Sequence, residues 1–290
     1  MSHVPVQPLT RGAPYLAALA LSACVTLTEL PRGVSSTDDG ALRVAAIACD
    51  ALTEPRPAVG TRGLDPDALR IMTWNLHKQE DAGWERDLQR FLAGADVALL
   101  QEAVLREDLR AILAARGLRY TMASAFIYRE VDYGVVTAAT MPPLALCADR
   151  AVEPLFGIPK AGIVAWYALE GRTDTLAVVN IHAVNFTPSI ASYQAQLAAL
   201  LRPLAAHDGP IVFAGDFNTW SDARRDALRA SAAALGLTEI VLEPDLRARF
   251  FGQELDHVLT RGLARVSATA IAVESSDHNP VVVTLRVAAH

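Results

Sequence analysis

Five strings in the last three quarters of the chain, TWNLHK, LLQEA, VNIHAVNF, GDFNTW and LDH followed by SDHNP, each end an apolar run on Asn, Glu, His or Asp. Such residues gathered at strand ends suit metal-assisted cleavage of a phosphate ester, which needs oxygen ligands, a base for water and groups that steady developing charge. Glu102 closes VALLQ, where a buried acid is costly without a counter-charge. A divalent cation held by few carboxylates and several waters removes that cost, and a place at a helix N-terminus explains the acid equally well. Asn75 in TWNLHK is a candidate to orient a phosphate oxygen or the Glu102 carboxylate, and otherwise a turn residue. His77 and Lys78 beside it reach toward substrate or belong to a solvated loop.

GDFN is the most informative of these strings. Gly215 permits a tight exit from PIVFA, Asp216 can take a proton from water, and Asn218 can hold a phosphate oxygen. An Asx turn accounts for Asp216 or Asn218 but less easily for both, and Ser221 suits the cap of the following helix. His182 follows AVVN, a setting in which a solitary histidine is usually a satisfied core residue. His278 is accompanied by Asp256, which ends its own apolar stretch. An acid on one ring nitrogen fixes the tautomer and raises basicity, so His278 could bind or protonate a phosphate oxygen.

The elements that must position these groups alternate from Leu69 onward. LRIMTWNL, DVALLQE, YGVVTAAT, GIVAWYALE, LAVVNIHAV, PIVFAGDF, DHVLT and PVVVTLRV read as strands, many apolar on both faces and therefore central. WERDLQRFLAG, REDLRAILAARG, ASYQAQLAALLRPLAAH and DARRDALRASAAALG have helical spacing, with Gly94, Gly117 and Gly236 where C-caps fall. The order predicts a layered α/β domain with one sheet face buried on another and helices outside. A faint echo links the two halves, each with a strand running into Asn or Asp.

The 290 residues are 52% apolar, enough for one catalytic domain with an N-terminal appendage. Net charge is -6 and no Lys/Arg-rich block occurs, which argues against strong nonspecific affinity for duplex DNA. Arg224, Arg225 and Arg229 form one basic group and Arg247 and Arg249 another, read as a solvated helix face and a charged loop. Residues 1–24 read as a signal peptide: Arg11 precedes APYLAALALSAC, and Leu21, Ser22, Ala23 and Cys24 match a bacterial lipobox, which implies diacylation of Cys24 and a membrane anchor. An uncleaved buried or membrane-inserted helix is the alternative, although the apolar stretch falls short of the roughly 20 residues a span requires. Residues 25–66 read as an extended linker with one possible short strand at RVAAIAC, and residues 67–290 as the catalytic domain. Export would let Cys49 and Cys147 pair; a buried Cys147 beside an unpaired Cys49 is the other reading.

Taken together over residues 69 to 288, TWN, QE, NIHAVNF, GDFNTW, LDH and SDHNP resemble the endonuclease/exonuclease/phosphatase superfamily, the group of DNase I, abasic-site endonucleases, sphingomyelinases and inositol polyphosphate 5-phosphatases. IHAVNF, GDFNTWS and the RGL after LDH look most like its bacterial YafD-like branch. The resemblance implies a four-layer α/β/β/α sandwich with the site at one end of both sheets. It implies Mg2+, or Mn2+ in its place, held by Glu102 with Asn75 and with Asp277 nearby. It gives Asp216 the activation of water, Asn218 the phosphate, Asp256 the pairing of His278 on the scissile group, and His182 protonation of the leaving oxygen. Asn185 and Phe186 fall near the site mouth as branch-specific residues, Asn185 for substrate, unless Phe186 packs under the next helix. The match thins in IYREVDYG, where neither Tyr128 nor Tyr133 aligns with the tyrosine of abasic endonucleases, where Arg129 reads as a surface residue, and where loops that enter damaged DNA have no counterpart.

The resulting expectation is a Mg2+-dependent phosphoesterase cleaving phosphodiesters, foremost a nuclease on flexible or single-stranded nucleic acid. Sphingomyelinase-like or phosphoinositide phosphatase action on lipid head groups is the alternative, and a noncatalytic envelope lipoprotein is a further one. A monomer at the bacterial cell envelope, anchored by lipid and facing the periplasm or exterior, is expected; without a functional signal it would be cytoplasmic.

Overall fold

The computed structural model describes residues 25–26, 31–37, 39–49, 52, 55–58, 60–187 and 189–288. The expected signal peptide and its lipobox cysteine lie outside the described residues. In chain order, β1 (Val25–Thr26), β2 (Arg32–Ser36) and β3 (Leu42–Ala46) precede β4 (Leu69–Asn75), α1 (Trp84–Phe91), β5 (Val97–Val104), α2 (Glu107–Ala115), β6 (Arg119–Tyr128), β7 (Val131–Ala139), β8 (Ala145–Val152), β9 (Pro159–Ala168) and β10 (Thr175–His182). There follow α3 (Ala191–Leu201), β11 (Ile211–Asp216), α4 (Asp222–Ala234), the short β12 (Thr238–Glu239), β13 (Arg249–Phe250) and β14 (Gln253–Glu254), then β15 (Asp256–Arg261), β16 (Leu263–Ala270) and β17 (Val281–Val287).

Period-2 alternation sorts the apolar residues into three layers. In β4, Leu69 and Ile71 face the opposite sheet while Met72 and Trp74 face α1 and α2; in β10, Leu176 and Val178 turn inward while Ala177, Val179 and Ile181 meet α3 and α4. Four structural layers, α/β/β/α, result, as the resemblance implied. One sheet runs β16-β17-β4-β5-β7-β6-β2-β3 with β1 on β6, and the other runs β12-β15-β11-β10-β9-β8. Each has a parallel pair joined by a helix, β4 with β5 through α1 and β10 with β11 through α3.

Beneath one end of the sandwich a polar link joins the sheets. Gln101 and Asn180 are both wholly buried; Gln101 Nε2 donates to Asn180 Oδ1 at 2.7 Å, and Asn180 Nδ2 donates to Val136 O at 2.9 Å. Loss of either partner would strand a buried group, at a cost of about 1–3 kcal/mol.

Several expectations change. Residues 32–46 are no tether: β2 and β3 form a hairpin laid antiparallel on β6, with Val34 opposite Met122. Cys49 is disulfide-bonded to Cys147 of β8, so the bond ties the segment that follows β3 to the edge strand of the other sheet. β6, β8 and β16 have no counterpart in the sequence reading because Ala, Ser and Arg break up their apolar alternation, and β16 carries a bulge between Arg265 and Ser267. Gly94, Gly117 and Gly236 do take the left-handed conformation of a C-cap, at φ 75°, 68° and 66°. Ser221 stands at the N-cap of α4 without a side-chain capping bond. Arg224, read as solvated, is buried. No described helix is long and apolar enough to cross a membrane.

Candidate active site

Register gathers the polar strand ends. His182 pairs with Asp216 across β10 and β11, and Asp216 pairs with Asp256 across β11 and β15, so three ionisable side chains share one row. The close approach of β10 requires Gly215, whose φ is 140° and where an added Cβ would lie 2.1 Å from Ile181 O. Gly215 therefore serves strand contact rather than the tight exit expected of it. From the other sheet, Asn75 ends β4, and His278 is fastened beside it: Trp74 Nε1 donates to His278 O at 2.9 Å, and Ser276 Oγ to Asn75 O at 2.7 Å. Glu102 sits in a bulge of β5 between Leu100 and Ala103, at φ 46°. Such strain persists where surrounding structure over-determines it, and functional sites are where it collects.

Asp216 is the hub. Asn75 Nδ2 donates to its Oδ2 at 3.0 Å and the Asn218 backbone N–H to its Oδ1 at 2.9 Å. The second bond is the Asx turn foreseen as an alternative, so turn and site coexist in GDFN. Asn75 thus orients Asp216 rather than Glu102, and its Oδ1 accepts from His77 N at 3.0 Å. Asn218, at φ 50°, donates one Nδ2 hydrogen to Ala183 O at 2.9 Å. The expected pair is present: Asp256 Oδ2 lies 2.7 Å from His278 Nδ1. Burial works against a charged His278, but Asp256 and then Asp216 outweigh it and lift the ring to about 10, leaving it cationic at neutral pH. His278 Nε2 stands 3.9 Å from Asp216 Oδ2.

Around Glu102 the arrangement is one the sequence reading missed. Lys78 Nζ is 2.8 Å from Glu102 Oε2, and Lys160 Nζ is 3.5 Å from Oε1 and 2.9 Å from His182 Nε2. Burial disfavours the ionised carboxyl, yet positive charge at His182, Lys160 and Lys78 holds it at about 2. His182 itself is pushed down to about 4, first by burial and then by Lys160, so at pH 7 the lysines supply that charge. An ammonium only donates, so Nε2 of His182 accepts from Lys160 and has no proton to give there. The leaving-group acid role that the resemblance implied for His182 would require Lys160 to leave Nε2. Lys160 lies in GIPKAG, without a local signal; its rarity as a residue type was the available clue.

The remaining expected residues spread toward the rim. Asp277 has a side chain 59% exposed, 3.9 Å from His77 Nε2. Asn185 receives Trp220 Nε1 on its Oδ1 at 2.8 Å and gives its backbone N–H to Glu153 Oε1 at 2.6 Å. Phe186 does not pack under α3; it is half exposed, edge-on to Phe156 at 5.6 Å between centroids. Arg224 locks this loop from below, donating to Val184 O at 2.7 Å, to Asn218 O at 3.2 Å and to Asn185 O. Tyr128, Tyr133 and Arg129 cluster on the β6–β7 hairpin, with Arg129 over the Tyr128 ring at 5.2 Å. A cleft of about 670 Å³ lined by Ser35, Arg43 and Tyr167 includes none of the expected site residues.

The donors fit a hard divalent cation. Glu102, Asn75 and Asp277 offer oxygen alone, and two ammonium heads already mark the space beside Glu102 as one that accepts positive charge. Asp216, Asp256 and His278 also bring ligand atoms within 4.8 Å of one another and could hold a metal ion. They would do so only if His278 surrendered its proton.

Comparison with known proteins agrees with this fold. The sequence pattern of the Endonuclease/Exonuclease/phosphatase family matches residues 72–278. The chain belongs to that family, and with it to the hydrolytic phosphoesterases, which in general use a divalent metal. Within it, a UPF0294 protein of Vibrio parahaemolyticus is 38% identical over 227 residues, 78% of this chain and 80% of that one. A UPF0294 protein of Yersinia enterocolitica is 38% identical over 230 residues, 77% and 88% of the two chains. Among solved structures, the catalytic domain of human Nocturnin with bound sulfate superposes with a TM-score of 0.60 at 15% identity, over 78% of this chain and 97% of that one. D. rerio TDP2 complexed with a single-strand DNA product gives 0.55 at 16% identity, over 76% and 99%.

Proposed function

We propose that the protein is a Mg2+-dependent phosphodiesterase acting on flexible or single-stranded nucleic acid. The observation that carries this reading is the convergence of Asp216, its orienting partners Asn75 and Asn218, a cationic His278 held by Asp256 and the ionised Glu102 at one end of the sandwich. Asp216, held by two donors, positions water and accepts its proton. His278 directs Nε2–H at a phosphate oxygen, its charge sustained by Asp256. Asn218 has a second amide hydrogen for the same group. Glu102, with Asn75 and Asp277, would hold Mg2+ or Mn2+, which supplies Lewis-acid stabilisation of the phosphoryl charge. TDP2 with its single-strand DNA product supports the choice of nucleic acid.

A lipid head-group diester is the second reading, favoured by the exposed Phe156 and Phe186 rings beside the Asn185 loop. In either case the protein works in the bacterial cell envelope on a lipid anchor at Cys24. The Cys49–Cys147 bond supports export, because structural disulfides persist in oxidising compartments. The test is hydrolysis of single-stranded DNA, RNA, sphingomyelin and bis-p-nitrophenyl phosphate with Mg2+ and with EDTA. Glu102→Ala and Asp216→Ala should each lower metal-dependent turnover by about a thousandfold with circular dichroism unchanged. Wild-type turnover in both variants would overturn the assignment.

A further inference from the structure

Of 26 basic side chains only Lys78 and Lys160 are lysines; all the others are arginines. The two come from different sheets, Lys78 from the turn after β4 and Lys160 from β9. Both ammonium groups nevertheless meet on one carboxylate, Glu102, one on each oxygen. A chain that uses arginine everywhere else has placed its whole complement of lysine at this point.

The difference between the two residues is mechanical. An arginine beside a carboxylate closes a planar fork over both oxygens. This chain shows that habit at Arg172–Asp174, with nitrogens at 2.7 and 2.7 Å, and at Arg247–Asp245, at 2.9 and 2.8 Å. A fork on Glu102 would seal it against any other cation. Lysine makes a point contact on a flexible stem and can let go. The backbone under Lys78 is fixed even so: His77, Lys78 and Gln79 take φ of 45°, 55° and 59°, and Gln79 Oε1 accepts the Val104 N–H at 2.9 Å. What remains free is the Lys78 side chain, 42% exposed. Lys160, 14% exposed, has a second resting partner in His182 Nε2 when it leaves Glu102.

We propose that Lys78 and Lys160 are exchangeable counter-ions of Glu102, which neutralise it until a divalent ion does so and then bind the non-bridging oxygens of the substrate phosphoryl group. The inference rests on the metal-dependent reading above and adds two phosphate-binding residues to it.

Calorimetric titration of the full chain with Mn2+, and with inorganic phosphate in the presence of Mg2+, tests it on Lys78→Met, Lys160→Met and the two arginine variants. Removing a competing charge this close should tighten Mn2+ binding about tenfold in each methionine variant, and phosphate binding should weaken about tenfold. The arginine variants keep phosphate affinity but bind Mn2+ more weakly than wild type, because the fork holds Glu102; circular dichroism checks that each variant is folded. Methionine variants that bind Mn2+ as wild type does, or more weakly, would overturn the exchange while leaving the metal-dependent reading intact. Wild-type protein that binds no Mn2+ at all would remove both.

Discussion

Replacing Cys49 and Cys147 by serine removes the bond between the segment that follows β3 and the edge strand β8. The cysteines are 98 residues apart, so the open chain regains the freedom of a loop of that size on unfolding. Chain-entropy arithmetic for a loop of about 100 residues gives about 4.7 kcal/mol of lost stability. Native contacts change little, because β2 remains paired with β6 and Cys147 is a buried residue that serine nearly matches in size. At about 2–4 °C per kcal/mol for a domain of this size, melting should fall by about 10 °C or more. Urea unfolding followed by tryptophan fluorescence, with and without reductant, measures the effect directly. The reduced protein should unfold at lower urea with a steeper dependence, since an uncrosslinked chain exposes more surface. Coincident midpoints for oxidised and reduced protein would refute the loop argument.

Three further outcomes are expected. Burial opposes charge on His278 but Asp256 holds the ring at about 10, so its stabilising contribution is full below the ordinary 6.5 and is lost as pH rises through about 10. Asp256→Asn should therefore move the alkaline limb of the pH–rate profile toward neutrality by more than one unit, and an unmoved limb would remove His278⁺ from the reaction. Gly215→Ala forces a Cβ to 2.1 Å from Ile181 O, which should cost about 3 kcal/mol or more in chemical denaturation; wild-type stability would show that β10 can retreat. Arg224→Met leaves the Val184, Asn185 and Asn218 carbonyls without their charged donor and should cost about 3 kcal/mol, with faster amide exchange across residues 183–187, whereas unchanged exchange would mean the loop is held elsewhere.

Much of the fold was legible along the chain. Runs such as VALL, AVV and IVFA are apolar at every position, which marks strands buried on both faces, and a polar residue inside them is costly unless it finds a partner, as Gln101 and Asn180 do in each other. His182 and Asp216 do end β10 and β11, whereas Glu102 lies in the bulge of β5, Asp256 opens β15 and His278 stands in the loop before β17. Of the hairpin at residues 32–46 only β3 was signalled, by RVAAIAC; β2, RGVSS, offers no apolar period to read.

Other features had no local signal. Lys160 sits among Gly, Ile and Pro, and only the packing of one sheet on the other brings it to Glu102. Arg224 looked like a solvated helix face, yet the Tyr193 and Trp220 rings and the carbonyls of the 184–185 loop enclose it. The neutral state of His182 and the charged state of His278 depend on which partner lies within about 3 Å of each ring. The sequence by itself determined which apolar runs are buried and form the central strands, because periodicity is a property of neighbours along the chain. Which side chains from different sheets meet, and with what charge, was decided only by tertiary structure, because strand register and the stacking of the two sheets set those distances.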